Sequence, residues 1–169
     1  QDQSYERVFT ATEDDFGTLK GMTDIVAFAR EHNPKVQPII ALTWGRKHGD
    51  NHLRKQDLPL IEKYPTFFLD FNSMQARLNE VVELEAKTVD AKISAQGPAW
   101  KIVRSERPEI ELYVKDGSHP SYAGSYLAAA VSYLTIFGEP FGATPSDGWL
   151  DAATASYLRS VAERVVLRG

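Results

Sequence analysis

Apolar residues recur along this chain with two periods. Phe16, Leu19, Met22, Val26 and Ala27 follow helical spacing between Asp14 and His32. Glu13, Asp14 and Asp15 suit the positive start of such a helix, Arg30 and His32 suit its negative end, and Asn33-Pro34 stops it. Val36 to Trp44 (VQPIIALTW) is short, apolar and β-branched at its centre, which predicts a buried strand with Pro38 as a mild objection. Gly45 to Asn51 (GRKHGDN) is then a polar loop, and Asn51 to Thr66 a mixed connection. Met74, Leu78, Val81 and Val82 predict a second helix over Phe71–Val89, followed by a short strand at Ala91–Ala95 and a helix at Pro98–Arg107. Ile110, Leu112 and Val114 alternate with polar neighbours, so Glu109–Lys115 is either a short strand or an extended approach to a loop. The spacing predicts a helix over Pro120–Phe137, rich in small residues (Ala123, Gly124, Ala128, Ala129, Ala130) and ended by Gly138. A last helix is predicted over about Ser146–Leu167, with Leu150, Ala153, Leu158, Val161 and Val165 on one face.

Helix, Asn-Pro, buried strand and polar loop follow one another as in an α/β sheet. Only two or three strands can be placed, whereas a doubly wound sheet has about five. Several helices carry an apolar face that needs a sheet to cover it. The expectation is therefore an α/β, flavodoxin-like three-layer α/β/α fold with a parallel sheet, its N-terminal strands absent from this chain. The chain starts at Gln1 and has no signal-peptide pattern, which fits a processed or partial sequence.

Bulk properties narrow the function. The 169 residues suit one domain, residues 1–169, with 43% hydrophobic and 25% charged positions. The net charge is −4 and no basic stripe stands out, so nucleic acid is a poor partner. No apolar run approaches the roughly 20 residues that span a bilayer. With no Cys, disulfides and thiolate metal sites are excluded.

The chemistry concentrates at Asp116-Gly117-Ser118-His119-Pro120. Gly117 permits a tight turn, and Pro120 holds His119 extended and opens the next helix. Such a turn can set the Asp116 carboxylate beside the His119 ring, so that one ring nitrogen's proton is held and the other nitrogen is free as a general base. The competing reading is an Asp–His pair that only caps a helix. Elsewhere, Phe67–Ser73 (FFLDFNS) mimics a strand–nucleophile–helix turn, but Phe71 stands where glycine is needed. Asn72 or Ser73 more simply caps the following helix. His48 and His52 flank Asp50, yet the neighbouring glycines indicate a loop and no third ligand is evident, so no metal is expected. His32 reads as a charge partner of its helix end.

Two segments carry a family resemblance. DGSHPSYAGSYLAAAVSYLTIFG and TWGRKHGD resemble the SGNH hydrolases (GDSL-like esterases and acetylhydrolases), most closely a bacterial branch with a Thr-Trp-Gly-Arg loop after a central strand. The family's last motif is Asp-x-x-His-Pro opening a helix, and Asp116, His119 and Pro120 match it one for one. Gly97-Pro98-Ala99-Trp100 looks like the helix before the catalytic loop, and Gln1-Asp2-Gln3-Ser4 like a segment after the third strand, so the resemblance covers nearly the whole chain. It implies a serine esterase acting on acyl, plausibly acetyl, esters of small molecules or carbohydrates, with Asp116 and His119 as triad partners. It further implies Gln3 as an oxyanion-hole candidate, Trp44 and Arg46 as substrate contacts, no cofactor, and a periplasmic or secreted location. The family's Gly-Asp-Ser or Gly-Asn-Ser nucleophile motif is missing, so the serine is expected upstream of this chain or on another polypeptide. The alternative is a non-catalytic ligand- or carbohydrate-binding module derived from a hydrolase fold.

Overall fold

The computed structural model describes residues 18–49, 70–143 and 145–168. The chain divides into two compact units, Gln1–Ile93 and Ser94–Gly169. Among the described residues there are five α-helices and one small parallel sheet of two strands, a mixed α/β architecture. No described helix is long and apolar enough to cross a membrane.

Up to the boundary the order is α1 (Thr18–His32), β1 (Ile39–Ala41), α2 (Phe71–Val89) and β2 (Lys92–Ser94), whose last residue opens the second unit. The predicted start of α1 at Asp14 lies outside the described residues. Its C-terminus is as expected: the carbonyl of Phe28 accepts from His32 Nδ1 (2.9 Å), so that nitrogen carries the proton and satisfies one end carbonyl. Helix α2 begins with a capping box. Ser73 N donates to Asp70 Oδ1 (2.8 Å), and Asp70 N donates to Ser73 Oγ (3.1 Å). The cap is thus Asp70, two or three residues ahead of the Asn72 or Ser73 expected from sequence. Asp90 ends α2 in the left-handed region at φ 52°. The stripe Met74, Leu78, Val82, Ala86 and Val89 packs with Ile40 and Leu42 to form this unit's core, with Met22 and Val26 of α1 against it.

Among the described residues β1 spans Ile39–Ala41, within the Val36–Trp44 strand expected. Pro38 has no N–H, although its carbonyl accepts from Lys92 N (3.0 Å). Past Leu42, a side chain of α2 reaches the backbone. Gln75 donates through Nε2 to the Thr43 carbonyl (3.2 Å) and accepts the Gly45 amide at Oε1 (2.8 Å). Gln75 is buried, so this one side chain serves a buried backbone donor and a buried backbone acceptor.

The second unit is built on α3 (Gln96–Glu106), α4 (Tyr122–Phe137) and α5 (Ala152–Val166), which pack on one another. Trp100 and Val103, Leu127, Val131 and Leu134, and Leu158 and Val161 are buried from the three helices respectively. Helix α3 starts two residues before Pro98, which occupies its first turn, where no intrahelical N–H bond is lost. Ser121 caps α4 and Gly138 closes it at φ 69°. Helix α5 starts six residues later than the expected Ser146. The intervening residues form a turn at Gly148 (φ 61°), and Asp151 supplies the cap through Thr154 N (2.9 Å). Of the expected Glu109–Lys115 segment, Glu109 and Ile110 lie in a turn closed by Ile110 N donating to the Arg107 carbonyl (2.9 Å); residues 111–114 then lead to the loop, with an antiparallel bridge between Tyr113 and Pro120.

Candidate functional site

The loop from Asp116 to His119 is clamped at both ends. Val114 N donates to the His119 carbonyl (3.0 Å), and Gly117 N to the Val114 carbonyl (3.0 Å). Gly117 takes φ 68°, a conformation that glycine adopts without steric cost. Below the loop, Ser121 N donates to the Leu112 carbonyl (2.9 Å) while Ser121 Oγ donates to the Glu111 carbonyl (2.7 Å) and accepts the Gly124 amide (3.1 Å). Ser121 therefore caps α4 and ties that helix end to the strand-like segment leading into the loop.

Within this frame one carboxylate does three things. Asp116 Oδ1 accepts the amides of Ser118 (2.8 Å) and His119 (2.9 Å), and Oδ2 lies 2.6 Å from His119 Nδ1. An ionised carboxylate only accepts, so Nδ1 carries the proton and Nε2 is left with its lone pair when the ring is neutral. The His119 side chain is 78% exposed and that of Asp116 48%, so the pair is reached from solvent. His119 beside it, then the Ser118 and His119 amides, hold the Asp116 carboxyl down at about 2 from an ordinary 3.8. A depressed value means that the ionised form is preferred in the folded loop. Its contribution to loop order is complete above pH 4 and is lost as pH falls towards about 2. Carbon-13 NMR of the Asp116 carboxyl is expected to titrate near 2. His119→Ala is expected to move that midpoint up, yet short of 3.8, because both amide donors remain. A midpoint at the ordinary value in the unmodified protein would contradict the clamp.

The wall behind the loop is aromatic. Trp100 packs edge-on to Tyr113 (centroids 6.3 Å apart), and Arg104 lies over the Tyr113 ring at 5.4 Å. Burial raises the Tyr113 hydroxyl far above its ordinary value, so it stays protonated. Gly124 allows this closeness: a Cβ there would meet the Leu112 carbonyl oxygen at 2.3 Å and the Trp100 ring at 2.8 Å.

The other residues singled out by sequence are distributed differently. Trp44 and Arg46 belong to the first unit. Trp44 is only 5% exposed, so its ring offers no open face for stacking. The Arg46 amide reaches Met74 Sδ at 3.3 Å. Gln3, Asp50 and His52 lie outside the described residues, and His48 is exposed. Among the described residues no group of three or more His, Asp or Glu could hold a metal ion. Ser73 has its hydroxyl engaged with Asp70, accepting the Asp70 amide and donating to its carbonyl (both 3.1 Å), which makes it part of a helix cap. Sequence reasoning missed Trp149. It is 90% exposed and stacks on Tyr122, the first residue of α4, at 5.2 Å and 22°, with its amide donating to Tyr122 Oη (3.1 Å). A Trp two residues from a helix cap, after Asp-Gly, is the signal that was available.

The architecture is thus mixed α/β, with an Asp–His dyad on a loop at the start of a helix. No protein-family model matches the chain, and no curated protein matches it. Among solved structures, it is similar to a crystal structure of a DUF4886 family protein from Bacteroides uniformis, with a TM-score of 0.71 and 18% identity. The match covers 93% of this chain and 59% of that one, and it supports the α/β fold.

Proposed function

We propose that this chain carries the acid/base half of a serine ester hydrolase of SGNH type. The observation behind this reading is the 2.6 Å contact between Asp116 Oδ2 and His119 Nδ1. Oδ1 of the same carboxylate is held by two backbone amides, and the ring is open to solvent. In the reaction, His119 Nε2 takes the proton of a serine hydroxyl as that oxygen attacks the ester carbonyl. It then returns the proton to the departing alcohol. The acyl-enzyme is released by water activated at the same nitrogen. Asp116 keeps the ring oriented and stabilises the imidazolium formed in each half.

No Gly-Asp-Ser or Gly-Asn-Ser block stands in the sequence, and Ser73 is engaged in a helix cap. The reading therefore requires a serine from polypeptide outside these 169 residues. The substrate is an acyl ester, with acetyl esters of carbohydrates as the first class to assay. Trp149 takes the place of Trp44 as the aromatic side chain able to touch a sugar ring, since it is the exposed one.

The test uses the longest natural polypeptide that contains this sequence. Treatment with a fluorophosphonate and peptide mapping is expected to place one adduct on a serine outside residues 1–169. His119→Ala is expected to slow the labelling by about 100-fold or more, the range of a lost general base. Labelling at an unchanged rate in that variant, or no labelling of the unmodified protein, would overturn the reading.

A further inference from the structure

A cavity lies beside α4, lined by neither Asp116 nor His119. It has a volume of about 390 Å³ and is lined by Tyr126, Ala129, Tyr133, Phe141, Pro145 and Arg159, among others. That volume falls within the range of small-molecule sites. Tyr126, Ala129 and Tyr133 recur at helical spacing, so one face of α4 forms a wall. The chain after Gly138 extends that wall, with the Phe141 ring stacked on Tyr133 at 5.4 Å and 18°. Flat aromatic surfaces with proline and alanine between them favour a flat apolar occupant.

The charge in the wall is already matched. Arg159 Nη1 donates to Asp147 Oδ1 (2.7 Å), to Tyr126 Oη (2.6 Å) and to the Ser146 carbonyl (3.4 Å). Tyr126 Oη in turn donates to the Ser146 carbonyl (2.7 Å). This network fixes the walls and sets a carboxylate against the guanidinium, so an anionic ligand gains little from Arg159. A hydroxyl in the lining keeps a proton to donate. Ser146 Oγ accepts the Gly148 amide (3.1 Å) and still has its own proton to donate.

From these features we propose that the cavity binds a neutral aromatic compound carrying one oxygen acceptor, such as an aryl alcohol or a phenol. The ring lies against Tyr133 and Phe141, and its oxygen meets the Ser146 hydroxyl at the rim. The site is separate from the dyad: its failure would leave the serine-labelling result unaffected, and the reverse holds too.

Titration of the full polypeptide with 1-naphthol tests this, followed by NMR at the Ala129 methyl and the Gly142 amide. Saturable shifts are expected with a Kd on the order of 0.1–1 mM, the affinity usual for a fragment of this size. Ala129 is exposed, so Ala129→Phe fills the cavity without disturbing the core and is expected to weaken binding at least tenfold. Tyr133→Ala removes one stacking wall and is expected to weaken it as well, which decides the matter if the first variant folds poorly. 1-Naphthoate is expected to bind no more tightly than 1-naphthol. Three results overturn the proposal: no saturable binding, equal binding in both variants, or naphthoate binding ten times more tightly.

Discussion

Asp116→Asn is expected to lower ester turnover by the full polypeptide by roughly 10⁴-fold, the loss seen when a serine triad keeps its shape but holds the wrong histidine tautomer. The geometry shows why an isosteric change is so costly. Asp116 uses both oxygens as acceptors, Oδ1 towards two amides and Oδ2 towards His119 Nδ1. Asn has one acceptor oxygen and one NH₂ donor. If the oxygen stays on the amides, the NH₂ faces Nδ1 and donates to it. The ring proton then moves to Nε2, and the lone pair needed for serine activation is gone. If the side chain flips, the NH₂ meets two N–H donors and the loop loses its clamp. The effect falls on kcat with KM little changed, because Asp116 acts through His119 and not on bound substrate. Steady-state hydrolysis of p-nitrophenyl acetate, with circular dichroism to verify folding, reads it. A loss smaller than tenfold would place the pair outside catalysis.

Much of this site was legible in the sequence because its determinants are local. Asp-Gly-x-His-Pro specifies a turn, found at Gly117 (φ 68°), but the helix expected to open at Pro120 starts at Tyr122 with Ser121 as its cap, because Pro120 is held in a bridge to Tyr113. The helices were legible for a similar reason. Their apolar spacing matches the buried stripes of Met74, Leu78 and Val82 in α2, and of Leu127, Val131 and Leu134 in α4. Long-range choices were not legible. That Gln75 binds the Thr43 carbonyl and the Gly45 amide rests on a glutamine about 30 residues away, and nothing in a short apolar run foretells it. Trp44 and Trp149 show the same limit. Trp44 ends an apolar run and is buried, whereas Trp149 follows Asp-Gly and is exposed, and tertiary packing decides both. The start of α5 was missed because Ser146 and Asp151 are both good caps. The turn at Gly148, tied by its amide to Ser146 Oγ (3.1 Å), decides between them.

Gly124 connects this packing to the dyad, and Gly124→Ala is expected to destabilise the second unit by about 2–3 kcal/mol. Helix propensity alone predicts the reverse, a gain of about 1 kcal/mol for Ala over Gly. Sterics outweigh it here. The new methyl would sit 2.3 Å from the Leu112 carbonyl oxygen and 2.8 Å from the Trp100 ring. Neither neighbour yields easily: the Leu112 carbonyl is held by Ser121 N (2.9 Å), and Trp100 is fully buried. Helix α4 must therefore move off the extended segment, carrying Ser121 with it and pulling His119 from its place beside Asp116. Gly21 in α1 provides the control, because among the described residues a Cβ there meets nothing within 4 Å. Gly21→Ala is expected to stabilise by about 0.5–1 kcal/mol through propensity alone. Urea unfolding of both variants separates the two terms, and the opposite signs are the result to look for. Equal effects would mean that α4 does not press on the Asp116–His119 loop as closely as Gly124 implies. A destabilised Gly124→Ala protein should also show the Asp116 carboxyl titrating nearer its ordinary value of 3.8, since the contact that most lowers it is the first to be lost.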